Sequence, residues 1–372
     1  MKTLILSCNT GEGHNSCAKA IKECFTAHGE ICDITDSLLF ISEKASKFIC
    51  NWHVRIYRHM PRLFKVGYKD AENSEKLFEK DSLVYEYLTS GSERMYEYIV
   101  ENGYDCVICT HIFPALALSD MLEKHSLPLV TAFVGTDYTC SPGTGESDLQ
   151  HYFIPAESLR DEFVAGGVPQ KRIIASGLPA RAGFYTGGDK EAARRAIGIY
   201  PTHAHALMMC GSMGCGPIPE IVEAMAASLS PAQELTVICG SNEKLYEKLE
   251  MDYFLQPNIH IEARVEDMPL YMRASDLYIT KPGGLSTTEA AAMHLPMLLV
   301  DAVAGCEEHN LDFFVENGGA VTADTPEDLA RAAIELMSNP QKLNEMSQAL
   351  ANVQRENPAE IIYRELKSHA DK

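Results

Sequence analysis

The sequence has no long hydrophobic run and few basic residues relative to acidic ones. Across 372 residues, no apolar stretch approaches the roughly 18 residues that a membrane-spanning helix needs. Lys and Arg together number 32 against 52 Asp and Glu, which gives a formal net charge of −20. Binding to nucleic acid relies on a basic surface that neutralises phosphates. We therefore expect neither a nucleic-acid partner nor a membrane-spanning segment.

The sequence also lacks the clustered cysteines of a disulfide framework. Its twelve cysteines are spread through apolar contexts, a pattern typical of reduced thiols in a cytoplasmic protein. Cys106, Cys109 and His111 miss the haem-attachment spacing by one residue, and Asp105 to Thr110 is typical of a buried strand. A strand is the preferred interpretation, with metal or haem as the alternative. The apolar run before Cys8 is too short for a signal peptide, so we expect a cytoplasmic protein.

Alternating strand and helix patterns run along the chain and predict an α/β protein with parallel sheets. Four glycines and a proline interrupt this alternation in residues 176–189, where we place a domain junction. The predicted domains are residues 1–178, residues 179–340 and a helical segment, 341–372, that could pack back on the first domain. Two such halves would face a cleft, with ligands at the carboxyl ends of the strands. The predicted strands are 2–8, 106–109, 129–134, 151–154, 172–175, 206–210, 235–239, 259–261, 277–279, 297–300 and 320–322.

A glycine-rich loop follows the first predicted strand. Gly11 and Gly13 would let the backbone approach a ligand closely, and the helix start beyond them would favour an anion. The loop is neither a P-loop nor a G-x-G-x-x-G fingerprint, because Asn15 and Ser16 follow. His14 could take a proton from an acceptor hydroxyl, or it could merely cap the helix. The spacing alone leaves both interpretations open.

Two further glycine loops lie in the second half, each between a predicted strand and a helix. The loop at 210–216 suits diphosphate oxygens, although many α/β turns look like it. The loop at 281–289 would present hydroxyls and N–H groups to phosphate at a helix start. Glu289, about one turn into that helix, could bridge two ribose hydroxyls, or it could simply be an acidic first-turn residue. The three loops in this order are more specific than any one of them.

The three loops resemble those of inverting nucleotide-sugar glycosyltransferases with the two-domain GT-B architecture. The branch with the greatest similarity contains the monogalactosyldiacylglycerol synthases and the processive diacylglycerol glucosyltransferases of glycosyltransferase family 28. A more distant relative is the lipid-linked N-acetylglucosaminyltransferase of peptidoglycan synthesis. The resemblance covers nearly the whole chain. It implies two Rossmann-like parallel-sheet domains and a helical C-terminal segment, with acceptor binding on the first domain and donor binding on the second.

The same resemblance implies roles for individual residues. His14 would be the catalytic base, and Asp137, in the segment Gly135 to Tyr138, a second catalytic residue. No metal and no cofactor are implied besides the UDP-sugar co-substrate. The implied donor-binding residues are Gly13, Arg181, Gly211, Ser212, Met213, Gly214, Gly283, Gly284, Leu285, Ser286, Thr287, Glu289, Glu307 and Asn310.

Two stretches depart from the family pattern. Cys306 stands where the family usually has Gln, which puts a donor contact by that amide in doubt. Residues 139–148 differ from the corresponding stretch of characterised glycolipid synthases, so the acceptor or donor preference could differ. We predict a UDP-hexose-dependent transferase acting on a lipid, with diacylglycerol as the expected acceptor. The alternatives are a GT-B-fold UDP-sugar epimerase and a non-catalytic nucleotide-sugar sensor.

One segment, residues 44–69, contrasts with the acidic chain around it. It holds seven Lys or Arg, no Asp or Glu, and the only tryptophan of the sequence. Basic residues interleaved with aromatics suit the head groups of an anionic membrane, although such aromatics could equally pack inside the first domain. We predict peripheral association with the inner face of the plasma membrane. The residues expected to contact membrane or acceptor are Trp52, Arg55, Arg58, Arg62 and Lys65.

Overall fold

The computed structural model describes residues 1–8, 12–44, 46–47, 77–211, 214, 216–302, 305–353 and 356–370. The chain forms two compact units. The first comprises 1–182, 303–309 and 356–372, and the second comprises 183–302 and 310–355. The predicted boundary at 178/179 thus lies four residues before the point at which the chain first passes from the first unit to the second. The segment predicted as one C-terminal piece, 341–372, is divided between the two units.

The first unit is built on a six-stranded sheet in which every described pair of neighbours is parallel. Its strand order is β2-β1-β3-β4-β5-β6, so the direction of winding reverses between β1 and β3. Ligand sites of doubly wound sheets lie at such a reversal, outside the carboxyl ends of the strands. The elements are β1 (Lys2–Ser7), α1 (Glu12–Ala27), β2 (Ile31–Asp36), α2 (Leu83–Thr89), α3 (Ser92–Asn102), β3 (Cys106–Cys109), α4 (Ile112–Lys124), β4 (Val130–Val134), β5 (His151–Ile154), α5 (Arg160–Ala165) and β6 (Ile173–Ala175).

The second unit repeats this architecture. Its sheet has the order β12-β11-β10-β7-β8-β9, all parallel, and the winding reverses between β7 and β10. The elements are α6 (Lys190–Ala196), β7 (Ala204–Met208), α7 (Ile218–Ala226), β8 (Gln233–Ile238), α8 (Glu243–Tyr253), β9 (Ile259–Glu262), α9 (Met268–Ala274), β10 (Leu277–Thr280), α10 (Gly284–Ala292), β11 (Met297–Leu299), α11 (Cys306–Glu316), β12 (Ala320–Thr322), α12 (Pro326–Met337) and α13 (Pro340–Val353). Helix α11 begins in the 303–309 stretch of the first unit and continues into the second. The two parallel sheets confirm the predicted α/β class with two Rossmann-like domains.

Helices cover both faces of the first sheet, which explains why its strands are apolar runs rather than alternating patterns. On one face Leu116 of α4 and Met95 of α3 pack in a single core. On the other face Ile21 of α1 packs in a core with Ile362 of the last helix, α14 (Pro358–Ala370). The sheet is therefore buried between two hydrophobic layers.

The C-terminal helices belong to different units because their apolar faces pack in different cores. Met346 of α13 joins the core of the second unit, and Leu350 packs over Gly319 there. Ile362 and Leu366 of α14 instead join the core of the first unit. Prolines stand at the first residue of α12, α13 and α14, where a missing N–H costs no helical hydrogen bond.

Cys106 and Cys109 lie in β3 and are fully buried, as the strand interpretation predicts. Burial raises the pKa of both thiols, so neither is poised to act as a thiolate. Every cysteine that the structure describes is a free thiol. Within the described ranges, no helix combines the length and the apolar character needed to cross a bilayer.

Candidate functional site

His14 lies in the first turn of α1, which begins at Glu12 rather than beyond Gly13 as predicted. Its Nδ1 is 2.9 Å from the carbonyl oxygen of Thr110, the residue that follows β3. A carbonyl oxygen can only accept a hydrogen bond, so Nδ1 carries the proton. In the neutral ring Nε2 then keeps its lone pair. The structure thus holds His14 in the tautomer that a general base at Nε2 requires.

Two neighbouring loops complete the surroundings of this imidazole. The hydroxyl of Thr136, which follows β4, lies 3.0 Å from Nδ1. The hydroxyl of Thr110 donates to the main-chain oxygen of His14 at 3.3 Å, and the ring of His111 meets the His14 ring edge-on at 4.6 Å. Because Nδ1 donates to Thr110, it cannot act as a helix cap, which needs an acceptor. The contacts of Nδ1 therefore favour the catalytic interpretation over the capping one.

Asp137, the second predicted catalytic residue, directly follows Thr136 and is half-buried. Its carboxylate accepts a hydrogen bond from the thiol of Cys306, whose pKa is raised by burial first and by Asp137 second. Cys306 occupies the position of the family's usual glutamine, and its thiol, like an amide, can donate to a carboxylate. Cys306, the residue that departs from the family pattern, thus has Asp137 as a hydrogen-bond partner, which spacing along the chain did not reveal.

The loop at residues 139–148 is tied down within the first unit. Glu162 of α5 accepts hydrogen bonds from the hydroxyl of Thr139 and from the main-chain N–H of Cys140, both at 2.6 Å. A Cβ on Gly145 would lie only 2.1 Å from the carbonyl oxygen of Gly166. This close approach makes glycine necessary at position 145. The stretch that departs from the family sequence is therefore a packed loop.

In the second unit, the loops after β7 and β10 meet at the reversal of the sheet. Gly211 has a φ of +73°, a conformation that favours glycine, and a Cβ on Gly214 would lie 2.4 Å from the oxygen of Cys239. A Cβ on Gly13, Gly211 or Gly283 would meet no heavy atom within 4 Å, so space lies open beside these three backbones. Ser212 and Met213 of the predicted diphosphate loop, like Gly11 of the first loop, lie outside the described residues.

A buried cation lies at this edge of the second sheet. The ammonium of Lys281, which follows β10, is 2.8 Å from a carboxylate oxygen of Asp301, which follows β11. A Cβ on Gly216 would be 3.1 Å from the same oxygen, so the pair borders the loop after β7. Lys281 is the first residue of the predicted loop at 281–289, but its spacing alone indicates no role. The signal it offered is a lysine directly after a buried strand, beside a glycine loop.

The start of α10 is held by hydrogen bonds within its own first turn. The hydroxyl of Thr287 donates to the carbonyl oxygens of Gly283 and Gly284 at 3.0 and 3.1 Å, and the side chain is fully buried. The hydroxyl proton is thus used within the helix and shapes this turn, and a role of Thr287 in donor binding stays a prediction. Ser286 and Leu285 remain partly exposed, and Glu289 is a buried carboxyl one turn further along.

Asn310 supports the same loop from α11. Its side-chain amide donates to the carbonyl oxygen of Pro282 at 3.0 Å, and the residue is fully buried. This contact gives Asn310 a positioning role for the loop after β10. In the first unit, Glu307 and Arg181 are half-buried, and Gly284 in the second is buried. The predicted membrane residues Trp52, Arg55, Arg58, Arg62 and Lys65 all lie outside the described residues.

Two family models match the chain in succession. Residues 14–180 match the model described as monogalactosyldiacylglycerol (MGDG) synthase. Residues 218–353 match the model described as glycosyl transferases group 1. The first match covers most of the first unit and begins at His14, and the second includes the glycine loop at 281–289. Together they confirm the family resemblance that the three loops predicted.

Two curated relatives that align with nearly the whole chain have the same name. A processive diacylglycerol beta-glucosyltransferase from Staphylococcus saprophyticus is 26% identical over 357 residues, covering 94% of this chain and 88% of the relative. One from Bacillus pumilus is 25% identical over 376 residues, covering 100% of this chain and 95% of the relative.

Solved structures with the same fold cover nearly the whole chain. MurG from Acinetobacter baumannii superimposes with a TM-score of 0.67 at 14% identity, covering 99% of this chain and 100% of MurG. MnaA from S. aureus, solved with UDP, gives a TM-score of 0.62 at 14% identity, covering 100% of this chain and 97% of MnaA. At this identity the likeness concerns the fold alone, and it confirms the predicted GT-B architecture.

Proposed function

We propose that the protein transfers a hexose from a UDP-sugar to diacylglycerol, on the premise that it is a GT-B glycosyltransferase resembling the monogalactosyldiacylglycerol synthases and processive diacylglycerol glucosyltransferases. The relatives from S. saprophyticus and B. pumilus carry the name of that reaction. The S. aureus fold relative was solved with UDP, which supports a uridine nucleotide as the donor carrier. The product would be a membrane glycolipid.

The observation that carries this proposal is the orientation of His14. Its Nδ1 proton is held by the Thr110 carbonyl, so Nε2 carries the lone pair that would take the proton of an acceptor hydroxyl. As that proton leaves, the hydroxyl oxygen attacks the anomeric carbon and the bond from that carbon to the diphosphate breaks. Attack from the side opposite the leaving group inverts the anomeric centre. The acceptor is thereby assigned to the first unit.

The donor is assigned to the second unit. The open space beside Gly211 and Gly283 allows diphosphate oxygens to approach main-chain N–H groups. Lys281, at the same edge, supplies a positive charge for the negative charge that develops on the leaving diphosphate. Glu289 would bind the ribose hydroxyls. These groups need no metal ion to stabilise the leaving group.

The test is incubation of the purified protein with a panel of UDP-sugars and diacylglycerol, with products identified by mass spectrometry. We expect one or more UDP-hexoses to yield a glycosylated diacylglycerol together with UDP. Proton NMR of the product would show an anomeric configuration opposite to that of the donor. Retention of the donor configuration would exclude the attack described for His14.

The same panel without acceptor separates the two alternatives. An epimerase would convert a UDP-sugar to its epimer in the absence of any lipid. A sensor would bind UDP-sugar in calorimetry but release no UDP with any lipid tested. Either result, with no glycolipid formed, would overturn the proposed transfer.

For the membrane, we propose that residues 44–69 dock the protein on anionic lipid. The support is the charge contrast: seven basic residues and no acidic ones in a chain of net charge −20. Each basic residue near such a surface contributes up to about 1 kcal/mol, and salt weakens the attraction. Replacing Arg55, Arg58, Arg62 and Lys65 by Ser should reduce sedimentation with anionic vesicles, most clearly at low salt.

The variant is informative only if its donor site is intact. UDP affinity, measured by calorimetry, should stay unchanged, because the glycine loops proposed to bind the donor lie in the second unit. Neutral vesicles provide the lipid control. Undiminished binding of the fourfold variant to anionic vesicles would show that this segment is not the docking surface.

A further inference from the structure

At the end of α1 opposite His14, three side chains of different chemistry converge. Cys24 lies in the last turn of α1, and His28 directly follows the helix, with its main-chain N–H donating to the carbonyl oxygen of Cys24 at 3.1 Å. The thiol of Cys24 lies 3.3 Å from one carboxylate oxygen of Glu360 in α14, and Nε2 of His28 lies 2.8 Å from the other. The sulfur, nitrogen and carboxylate ligand atoms all fall within 4.8 Å of one another.

We propose that Cys24, His28 and Glu360 bind a Zn²⁺ ion that fastens α14 to α1. Thiolate, imidazole and carboxylate are the three ligand types that zinc takes in proteins. Ligands around a tetrahedral zinc lie about 3.3–3.6 Å apart, given bonds of about 2.0–2.3 Å. The 3.3 Å between the Cys24 sulfur and a Glu360 oxygen falls in this range, and the 2.8 Å between His28 Nε2 and the other oxygen would widen by about 0.5 Å to admit the ion.

The two hydrogen bonds mark where the ion would enter. The Cys24 thiol and the His28 Nε2–H both donate to Glu360, so two protons now occupy the space between the ligands. Zinc replaces both, forming bonds to sulfur, Nε2 and a carboxylate oxygen. The thiol proton leaves to solvent, and the imidazole proton moves to Nδ1. One thiolate and one carboxylate then balance the charge of the dication.

The surroundings of the cluster fit a metal ion. Cys24 is buried, whereas the side chains of His28 and Glu360 are 39% and 38% exposed, which leaves an entry path and room for a water as fourth ligand. The ring of Tyr363 stacks on the His28 ring at 4.0 Å with an angle of 8° between their planes. That stack fixes the plane of the imidazole, as supporting groups commonly do for zinc-bound histidines.

The proposed ion has a structural consequence. Helix α14 belongs to the segment that returns to the first unit after residue 355. Its apolar residues Ile362 and Leu366 pack in the same core as Cys24. A zinc bridge would add a second kind of attachment, and its removal would loosen this terminal helix while leaving the sheet intact.

Metal content and cobalt spectroscopy of the full-length protein test this assignment. After dialysis against zinc and removal of loosely bound metal, we expect one zinc per chain by mass spectrometry. With Co²⁺ in place of zinc, coordination by sulfur should produce a near-ultraviolet charge-transfer band. Cys24→Ser should abolish the band and weaken zinc binding by about 100-fold or more, since even supporting groups cost 10–100-fold. Cys32→Ser, a change at another buried cysteine of the first unit, is the matched control and should change neither.

Glu360→Gln provides a second variant if Cys24→Ser does not fold. Its amide keeps the size of the side chain but loses the anionic ligand, so zinc affinity should again fall. Hydrogen exchange should show less protection in residues 358–370 of the metal-free protein and of either variant, and zinc should restore protection only in the parent. A cobalt band that is unchanged in Cys24→Ser, or a zinc affinity that is unchanged in Glu360→Gln, would overturn the proposal.

A second group on α14 offers an internal comparison. His151, Glu365 and His369 also bring three ligand atoms within 4.8 Å of one another, without a thiol. His369→Ala should leave the stoichiometric zinc and the cobalt band in place. If His369→Ala removes the zinc and Cys24→Ser does not, the ion belongs to this other group and the assignment to Cys24 is wrong.

Discussion

The two units place different chemistry at the same point of the same fold. In the first unit, the loops after β1, β3 and β4 surround an imidazole with threonine hydroxyls and a carbonyl. In the second, the loops after β7, β10 and β11 combine open glycine backbones with the Lys281–Asp301 ion pair. Both arrangements lie where the winding of a sheet reverses.

This difference teaches that the fold supplies a location and the loops supply the reaction. An oriented neutral imidazole suits proton transfer, whereas main-chain N–H groups and a buried ammonium suit a diphosphate. If that division holds, changes in the first unit should affect turnover and changes in the second should affect donor affinity.

The division is most directly challenged by His14→Ala. We expect turnover with diacylglycerol to fall by about 10²-fold or more, because a general base typically contributes that much. Calorimetry should show unchanged UDP affinity, since the donor loops belong to the other unit. Equal turnover of variant and parent would remove His14 from the mechanism.

The second-unit counterpart is Glu289→Ala. Loss of charge-assisted hydrogen bonds to ribose should weaken UDP binding by roughly 1–3 kcal/mol in calorimetry. Because Glu289 is buried, Glu289→Gln, which keeps the side-chain volume, guards against a change that acts through folding. Glu220→Ala removes an exposed acidic residue from the first turn of α7 and is the matched control. If Glu289→Ala, like the control, leaves the dissociation constant for UDP unchanged, Glu289 is only an acidic residue near the start of a helix and does not bind the donor.

A histidine of the second unit sharpens the contrast with His14. His205 is fully buried, donating from Nδ1 to the Ala274 carbonyl and accepting at Nε2 from the Thr236 hydroxyl. Burial lowers its pKa to about 4, so the folded protein keeps it neutral. The unfolded chain binds a proton near pH 6.5, hence acidification from there toward pH 4 should reduce the free energy of unfolding by about 1.4 kcal/mol per pH unit.

Urea denaturation at pH 7 and pH 5, followed in parent and His205→Gln, measures this effect. Glutamine cannot be protonated, so the part of the pH dependence of the free energy of unfolding that His205 causes should disappear in the variant. Parallel pH profiles for the two proteins would contradict a folded-state pKa lowered by burial. UDP binding at pH 7 should be retained in the variant, since His205 lies at the start of β7 rather than at its carboxyl end.

The smallest expected effect is that of Thr136→Val. The Thr110 carbonyl still accepts the Nδ1 proton of His14 in this variant. Of the two described contacts of Nδ1, only the one with the Thr136 hydroxyl is lost. A single hydrogen bond contributes about 1 kcal/mol, which corresponds to roughly a fivefold reduction in turnover. Steady-state kinetics with saturating UDP-sugar would measure it. A loss as large as that of His14→Ala would make the hydroxyl an essential part of the proton transfer.

Much of the fold could be predicted because buried parallel strands are continuous apolar runs. The strands at 106–109, 151–154 and 320–322 have the predicted bounds. β2 was missed because it is an edge strand whose residues are mostly only partly buried, with the polar sequence ICDITD. The start of α1 was predicted beyond Gly13, because glycines are typical of loops, whereas the helix begins at Glu12.

The candidate site was less predictable where a role depends on contacts between distant residues. The resemblance pointed to His14, but its tautomer depends on a carbonyl 96 residues away. Thr287 was assigned to phosphate because its hydroxyl lies at a helix start, yet that hydroxyl bonds within its own turn. Spacing cannot distinguish these outcomes, because the same residue type serves either one.

By itself the sequence determined the α/β class, the order of the three glycine loops and the residue types they carry. These are local properties: apolar runs make buried strands, and glycine permits the turns that follow them. Only the tertiary structure decided that His14 presents Nε2, that Lys281 is paired with Asp301, and that Cys24, His28 and Glu360 converge. Each of these depends on which strands and helices become neighbours, and that follows from packing over the whole unit rather than from spacing along the chain.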